Sequence, residues 1–384
     1  MSSGGRHCTA LVRFGSSCHR ECETLSGREP EGAESVYKWR ACEKNPGHSK
    51  FISAQDFKDN YLPRLQTNEF REEFRSIIDR TVRLRVQCTS LDRPDDDHFA
   101  KYRGTDKTRL ATGYICYVEE PKYNKPCFCL ECRGKVVRKQ WTLRVKTAHH
   151  VVYNTEEAKE TKIDFFYDDD SCMRNGRMKT VRGVAMGEVY RGRDWCDMWC
   201  VTCDGDLGER IEAACRYRFK DIPNSQDISF LGLQPSCDED CEPALIVSHP
   251  HGQPKKITVG KLRYRDREDY RVEYNTPTCP GSSGAQVFWF VRDGSGFYPP
   301  VHSGSSGKTS TENKHQLNNL RGYETSLGVE QINYAARSYL MRLMWTQLND
   351  FPGVTLVRAK LSNSSRTPFA VLLKIITPCN IITS

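Results

Sequence analysis

The 384-residue sequence predicts an all-β protein, and two observations carry that expectation. From about residue 81 to 335 the chain breaks into short stretches of strand character, and Gly and Pro punctuate many of the intervals between them. No repeat of fixed period is visible. Many short strands at such spacing are the pattern of a sandwich or barrel. The length allows two or three compact units at about 150 residues each.

Residues 1–50 are rich in Gly, Ser, Cys and charge without sustained periodicity, and read as a loose, partly disordered leader. Cys8, Cys18, Cys22 and Cys42, with His7, His19 and His48 nearby, are zinc-ligating types whose spacings match no standard finger. Residues 51–80 read as a helical extension. Ser53 with Asp56 three residues on has the form of a capping box, and Phe70, Phe74, Ile77 and Ile78 recur at i, i+4, i+7 and i+8 on one core-packing face. At Thr81 the period changes to two. Val82, Leu84 and Val86 alternate with Arg83, Arg85 and Gln87, as a half-buried strand should. Further strands are expected at Thr112–Val118, Val136–Thr147, Lys162–Tyr167, Arg182–Tyr190 and Met198–Cys203. A second group falls at Ala244–Ser248, Lys256–Leu262, Arg271–Tyr274, Gln286–Val291 and Pro300–His302. A helix from about Gly328 to Leu343 is expected to close the domain, and the tail beyond Trp345 is irregular.

Composition sets outer limits on function. Lys plus Arg number 57 and Asp plus Glu 49, so the formal net charge is +8, too mild a bias for a dedicated nucleic-acid arm. Charged residues at 28% and hydrophobics at 38% describe a globular chain. No stretch approaches the roughly 18 to 20 apolar residues of a membrane-spanning helix, and residues 1–15 hold no apolar core of a secretory signal. The expectation is an intracellular protein, in cytoplasm or nucleus, whose 18 cysteines are reduced thiols with some metal ligands among them. Neither a membrane nor a nucleic-acid partner is expected.

The sharpest local signal is Thr278-Cys279-Pro280-Gly281-Ser282-Ser283-Gly284, followed by the strand residues Val287, Phe288 and Trp289. A serine between glycines before a strand can expose its hydroxyl on a tight turn. The backbone N–H groups of Gly281 and Ser283 can then converge on the oxyanion of a tetrahedral intermediate. The second copy, Gly304-Ser305-Ser306-Gly307, reads as a plain loop, so the motif alone is weak.

A serine nucleophile needs a base, and the base needs an orienting carboxylate. Thr147-Ala148-His149-His150-Val151-Val152 places a histidine where a strand gives way to a turn. Asp197-Met198-Trp199-Cys200-Val201 puts an acid just before a buried strand, while Asp194 lies before Trp195-Cys196 and Asp204 in a Gly-Asp turn. The strand-start pattern favours Asp197. The order is then His150, Asp197, Ser283, separated by 197 − 150 = 47 and 283 − 197 = 86 residues.

Over residues 81–335 these blocks resemble a trypsin-like serine protease of the chymotrypsin fold, of the intracellular type. Thr147–Val152 is similar to that family's catalytic-histidine motif, with His150 as base and His149 where a small residue is usual. Asp197 falls on its Asp-apolar-x-apolar-apolar block and Ser283 on Gly-x-Ser-Gly, with Cys279 at the cysteine four residues before the nucleophile. Val247–Gly252, Pro254 and Ile257–Gly260 resemble the turn and strand that precede the nucleophile in intracellular members. The resemblance implies two six-stranded antiparallel β-barrels, about 81–215 and 225–335, with the site in the cleft between them and residues 336–384 as a tail. It implies a serine endopeptidase acting on protein or peptide substrates with no required cofactor. The substrate pocket would be lined by Pro277, His302, Ser303 and Gly304. Pro277 stands where cleavage after Lys or Arg would want an acid, so His302 could receive an acidic or amide side chain, or be a satisfied strand histidine. Ser282 replaces the aspartate that pairs with a newly cleaved N-terminus, which predicts no cleavage-driven zymogen switch. The rival classes are a protease-like binding module without turnover and a zinc- or nucleic-acid-binding regulator.

Two cysteine groups remain. Cys127, Cys129 and Cys132 can hold a structural zinc if a fourth ligand comes from elsewhere, whereas Cys196, Cys200 and Cys203 read as buried thiols along the Asp197 strand.

Overall fold

The computed structural model describes residues 18–27, 31–65, 68–129, 132–216, 243–266, 271–289, 300–306 and 326–329. The leader expected to be loose is, within those bounds, built onto the rest of the molecule. Strand β1 (Cys18–Arg20), strand β2 (Glu23–Leu25) and helix α1 (Glu31–Arg40) are followed by a short strand β3 (Ile52–Ser53). Ser53 accepts from Asp56 N at 3.1 Å and so caps α2 (Ala54–Asp56), which passes into wider and tighter turns up to Arg64 instead of continuing as one helix. Helix α3 (Asn68–Arg80) buries Phe70, Phe74, Ile77 and Ile78 together, the face that their spacing marks.

The fold is all-β, as expected. Strands β4 (Thr81–Val86), β5 (Thr108–Val118), β6 (Lys122–Pro126), β7 (Val136–Ala148), β8 (Thr161–Phe165), β9 (Lys179–Tyr190) and β10 (Trp195–Thr202) form one antiparallel sheet, with helix α4 (Thr155–Lys159) between β7 and β8. Six of them run β5-β4-β8-β9-β10-β7, and β7 pairs back onto β5, so the sheet closes into a barrel. Closure covers β5 from Tyr114 to Val118 and leaves its Thr108–Leu110 end to pair with β2. Val82, Leu84, Ala111, Ile115, Leu143, Val145, Ile163 and Met198 fill the interior.

Helix α5 (Gly205–Arg216) leads out of this barrel. The second barrel comprises β11 (Pro243–Ser248), β12 (Lys256–Asp266), β13 (Arg271–Tyr274), β14 (Val287–Trp289), β15 (Val301–Ser306) and β16 (Ser326–Val329), in the order β15-β16-β13-β12-β11-β14. A bridge between Gln286 and Val301 brings its two ends together. Helix α3 packs its apolar face on this barrel through Leu245, Val247, Ile257 and Phe288. The expected helix from Gly328 is corrected at its start: Ser326–Val329 pair with β13 and β15, and the rest lies outside the described residues. No described helix is long and apolar enough to cross a membrane.

Thr112 of β5 ties the barrels where they meet. Its N–H donates to Ser283 O at 2.9 Å, its hydroxyl donates to Gly281 O at 2.8 Å, and it accepts from His249 N at 3.0 Å. The loop that carries Ser283 is thus held against the first barrel.

Candidate active site

Ser283, His150 and Asp194 form one hydrogen-bonded line across the junction of the barrels. His150 follows the end of β7, and its Nδ1–H donates to Asp194 Oδ2 at 2.7 Å. That tautomer leaves Nε2 as the acceptor for the Ser283 hydroxyl, 2.8 Å away. The His150 backbone N–H also donates to Asp194 Oδ1 at 3.0 Å, so both carboxylate oxygens are fixed by the residue they orient. All three side chains are buried.

Asp197, the acid expected from the strand-start pattern, is not part of this line. Trp195 pairs with Ala148, which sets Asp194 opposite the His149–His150 end of β7 and carries Asp197 three residues further along β10. There Asp197 Oδ2 accepts from Arg144 Nε at 2.5 Å and Oδ1 accepts from Glu188 N at 2.8 Å. Asp194 sits in a left-handed turn (φ 49°) just before β10, a conformation that aspartate tolerates better than most residues. Trp195 and Cys196 are both buried, so the strand starts three residues before its apolar pattern suggested. His149 points elsewhere and stacks at a tilt near Tyr153.

The turn before Ser283 needs its glycines. Gly281 has φ 98°, and a Cβ there would stand 2.5 Å from His249 O; Gly284 has φ 89°, and a Cβ would stand 2.1 Å from Thr112 O. This tight turn aims the N–H groups of Gly281 and Ser283 at a single point. Both donate to the carbonyl oxygen of Glu21, at 2.6 and 3.2 Å. Ser282 faces inward, its hydroxyl shared with Ser248 at 3.1 Å and with Cys279 N at 3.3 Å.

Residues 18–25 cross the site as an extended strand. Arg20 pairs with Gly304 of β15 on one side of Glu21, and Glu23 pairs with Leu110 of β5 on the other, both antiparallel. The Glu21 side chain meets His302, one of the residues expected to line a substrate pocket. His302 Nε2–H donates to Glu21 Oε2 at 2.8 Å while Tyr274 OH donates to His302 Nδ1 at 2.6 Å. Lys44 pairs with the other oxygen and donates to Thr278 Oγ1 at 3.2 Å. Burial works against the charge, yet Lys44 and the His302 N–H hold the Glu21 carboxyl well below the usual range. Ser303 and Pro277 are buried, and Gly304 contributes the backbone that pairs with Arg20. The second Gly-Ser-Ser-Gly copy, expected to be a loop, is thus strand in its first three residues.

Burial is the dominant cause of a low His150 pKa, brought down to about 4, with Arg20 and Arg93 adding to it and Asp194 opposing it. Asp194 is held ionised by His150 and Arg20. A neutral imidazole between a hydroxyl and a carboxylate can take the hydroxyl's proton as the oxygen attacks an electrophile, and two N–H groups on one oxygen can hold the charge that develops there.

The cysteines divide differently from their spacing. Cys127, Cys129 and Cys132 meet Cys203, with all four sulfurs within 4.8 Å of one another. Cys203 lies 3.7 Å from Cys129 and 3.2 Å from Cys132. Cys196 and Cys200 stay as thiols in the first barrel's core. Of the leader's candidates, Cys42 and His48 join His251 and Cys279 within the same limit, and Cys22 lies apart with its thiol donating to Leu110 O.

No protein-family model matches the chain, and no curated protein matches it. Among solved structures it is similar to Deg5, at a TM-score of 0.34 and 10% identity over 71% of this chain and 91% of that one. It is similar to the serine endoprotease from Yersinia pestis, at 0.34 and 11% identity over 74% and 68%. The active form of the Rv3671c protease from M. tuberculosis gives 0.33 and 11% identity over 74% and 86%. Likeness at this level is coarse and carries no residue-level correspondence.

Proposed function

We propose that the protein is a serine endopeptidase. The observation that supports this reading is the unbroken Ser283–His150–Asp194 line together with two N–H donors on one peptide carbonyl. In this reading Ser283 Oγ attacks the carbonyl carbon of a bound peptide as its proton passes to His150 Nε2. Asp194 stabilises the imidazolium, and Gly281 N–H and Ser283 N–H hold the oxyanion, a contribution of about 3 to 4 kcal/mol per donor removed in comparable sites. His150 then gives the proton to the leaving amine, and water releases the acyl group by the same route in reverse. The substrate is a protein or peptide, since the strand edges at β15 and β5 take up extended backbone on either side of the reacting bond.

Cys127, Cys129, Cys132 and Cys203 together have the donor set of a closed structural zinc site, in which no position is left for chemistry. The zinc would pin the β6–β7 hairpin to the end of β10 and take no part in hydrolysis.

Incubation with a denatured protein substrate, read by mass spectrometry of new termini, tests the endopeptidase reading. New termini, in the added protein or in the chain itself, are expected with wild type and slower by about 10⁴-fold or more with Ser283→Ala. Equal yields from the two chains, or none from either, contradict it.

A further inference from the structure

We propose, on the endopeptidase reading, that this site cleaves after glutamate and that its first substrate is its own Glu21–Cys22 bond. Residues 18–25 lie in the cleft with a substrate's arrangement rather than as a loose cover. The backbone pairs antiparallel with β15 before the bond and with β5 after it. The Glu21 carbonyl takes both converging N–H donors. The side chain that precedes the bond is 2% exposed, and each of its carboxylate oxygens meets a cationic or N–H donor, His302 or Lys44. Tyr274 orients His302 from behind, so Nε2–H faces the carboxylate whether or not the ring is charged. A neutral side chain in this pocket would leave Lys44 without its buried counter-charge, and a basic one would face it directly.

The step balances within the chain. Ser283 Oγ bonds to Glu21 C, the C–N bond to Cys22 breaks, and His150 carries the serine proton to the Cys22 nitrogen. Water then hydrolyses the ester, leaving a Glu21 carboxylate and an amino terminus at Cys22. The catalytic line is already assembled with the bond intact, and Ser282 is satisfied internally. The cut therefore empties the cleft and does not build the site, in keeping with the absence of an aspartate at 282.

Intact-mass analysis of the full chain over time, beside fluorophosphonate labelling of Ser283, tests this. Wild type should lose residues 1–21, and Ser283→Ala should stay whole. Glu21→Lys should stay whole at this bond while its Ser283 labels faster than in the uncut chain. A peptide spanning residues 18–27 should be cut by the processed protein about 100-fold faster than the same peptide carrying Glu21→Gln. Labelling of Ser283 with no cut after Glu21, or equal cutting of the two peptides, overturns the inference and leaves the endopeptidase reading standing. Failure of Ser283 to label in either wild type or Glu21→Lys overturns the endopeptidase reading itself.

A second site rests on separate observations. We infer that Cys42, His48, His251 and Cys279 bind zinc, tying the leader to the loop that carries Ser283. The two sulfurs stand 3.7 Å apart, close to the roughly 3.8 Å edge of a tetrahedron with zinc–sulfur bonds of about 2.3 Å. His48 Nε2 is 3.4 Å from Cys279 Sγ. His251 is 4% exposed and its Nε2 has no hydrogen-bond partner, while its Nδ1 is held by Glu23 Oε2 at 2.7 Å, the outer carboxylate that zinc-binding histidines commonly have. Asn45 donates its backbone N–H to Cys42 Sγ and its amide to Cys279 Sγ, as partners of thiolates do.

Metal content of the uncut Ser283→Ala chain, by mass spectrometry, tests this site. Cys42→Ser should lower zinc by about one ion per chain relative to the parent. Where that variant misfolds, the Cys203→Ser chain loaded with cobalt should still show the absorption of a two-thiolate tetrahedral site. Unchanged zinc in a folded Cys42→Ser chain, or no such absorption in Cys203→Ser, overturns it.

Discussion

The choice of acid separates two aspartates three positions apart, one in the turn before β10 and one on it. Asp194 meets His150 through Oδ2 and Oδ1, whereas Asp197 is neutralised by Arg144 and has no path to the imidazole. Asp194→Asn should lower kcat about 10⁴-fold at neutral pH, because the amide presents a donor where Nδ1–H needs an acceptor. Asp197→Asn should leave kcat within about tenfold and act mainly on stability, by taking from half-buried Arg144 one of its two carboxylate partners and leaving it Glu188 alone. A kcat comparison of the two variants on one peptide checks the assignment, and the reverse ranking would contradict it. Sequence pattern could find Ser283 and His150 because glycine-dependent turns and strand ends leave local marks. It missed Asp194 because what selects the acid is the register of Trp195 on Ala148, a pairing between distant segments. Burial also predicts a sign for pH dependence. With the cleft filled, the His150 pKa is brought down to about 4, so the base stays neutral well below pH 6. Once residues 18–21 leave and water returns, that pKa should climb toward the ordinary value near 6.5. Self-cleavage should therefore persist at about pH 5, where cutting of added peptide has fallen on the acid side, and rates of both across pH 4–8 measure the separation.

The strands of the two barrels, β6 and β16 apart, and helix α3 were largely legible; helices α1, α4 and α5 and the networks between elements were not. Alternation in Val82–Val86 and the helical spacing of Phe70–Ile78 report local burial, which each element shows alone. By contrast, Glu157 on α4 gathers Arg93 through Nε and Nη2 at 2.7 Å and Arg109 through Nη2 at 2.8 Å, all fully buried, and nothing in its surroundings in the chain announces this. Arg93 also donates to His150 O at 3.0 Å, so the cluster braces the turn that carries the base. Glu157→Gln should cost about 3 to 5 kcal/mol in denaturant unfolding, since it takes from buried Arg109 the carboxylate it pairs with and leaves buried Arg93 with Asp97 alone. A loss below about 1 kcal/mol would mean that the cluster is not the brace described. The cysteines teach the same lesson: spacing groups Cys203 with its strand neighbours, yet it meets Cys127, Cys129 and Cys132 of the β6–β7 connection. Chelation with a strong zinc ligand should loosen the β6–β7 hairpin, and faster proteolysis between residues 119 and 136 would report it.

At the scale of the molecule, two barrels supply what neither has alone. The first brings the imidazole and the carboxylate, the second brings the hydroxyl, the N–H donors and His302, and Thr112 joins the two. Composition and strand spacing were enough for the all-β class, because they depend on how many short buried strands the chain can make. They could not show that residues 18–25 return to fill the cleft, since strand addition there is a property of edges formed only after folding. The whole account requires Ser283 to be a nucleophile, and a fluorophosphonate probe followed by peptide mapping tests that most directly. The adduct should appear on Ser283 of the folded chain, vanish on unfolding and be reduced by at least tenfold in Asp194→Asn; a folded chain whose Ser283 reacts no faster than in the denatured state would contradict it.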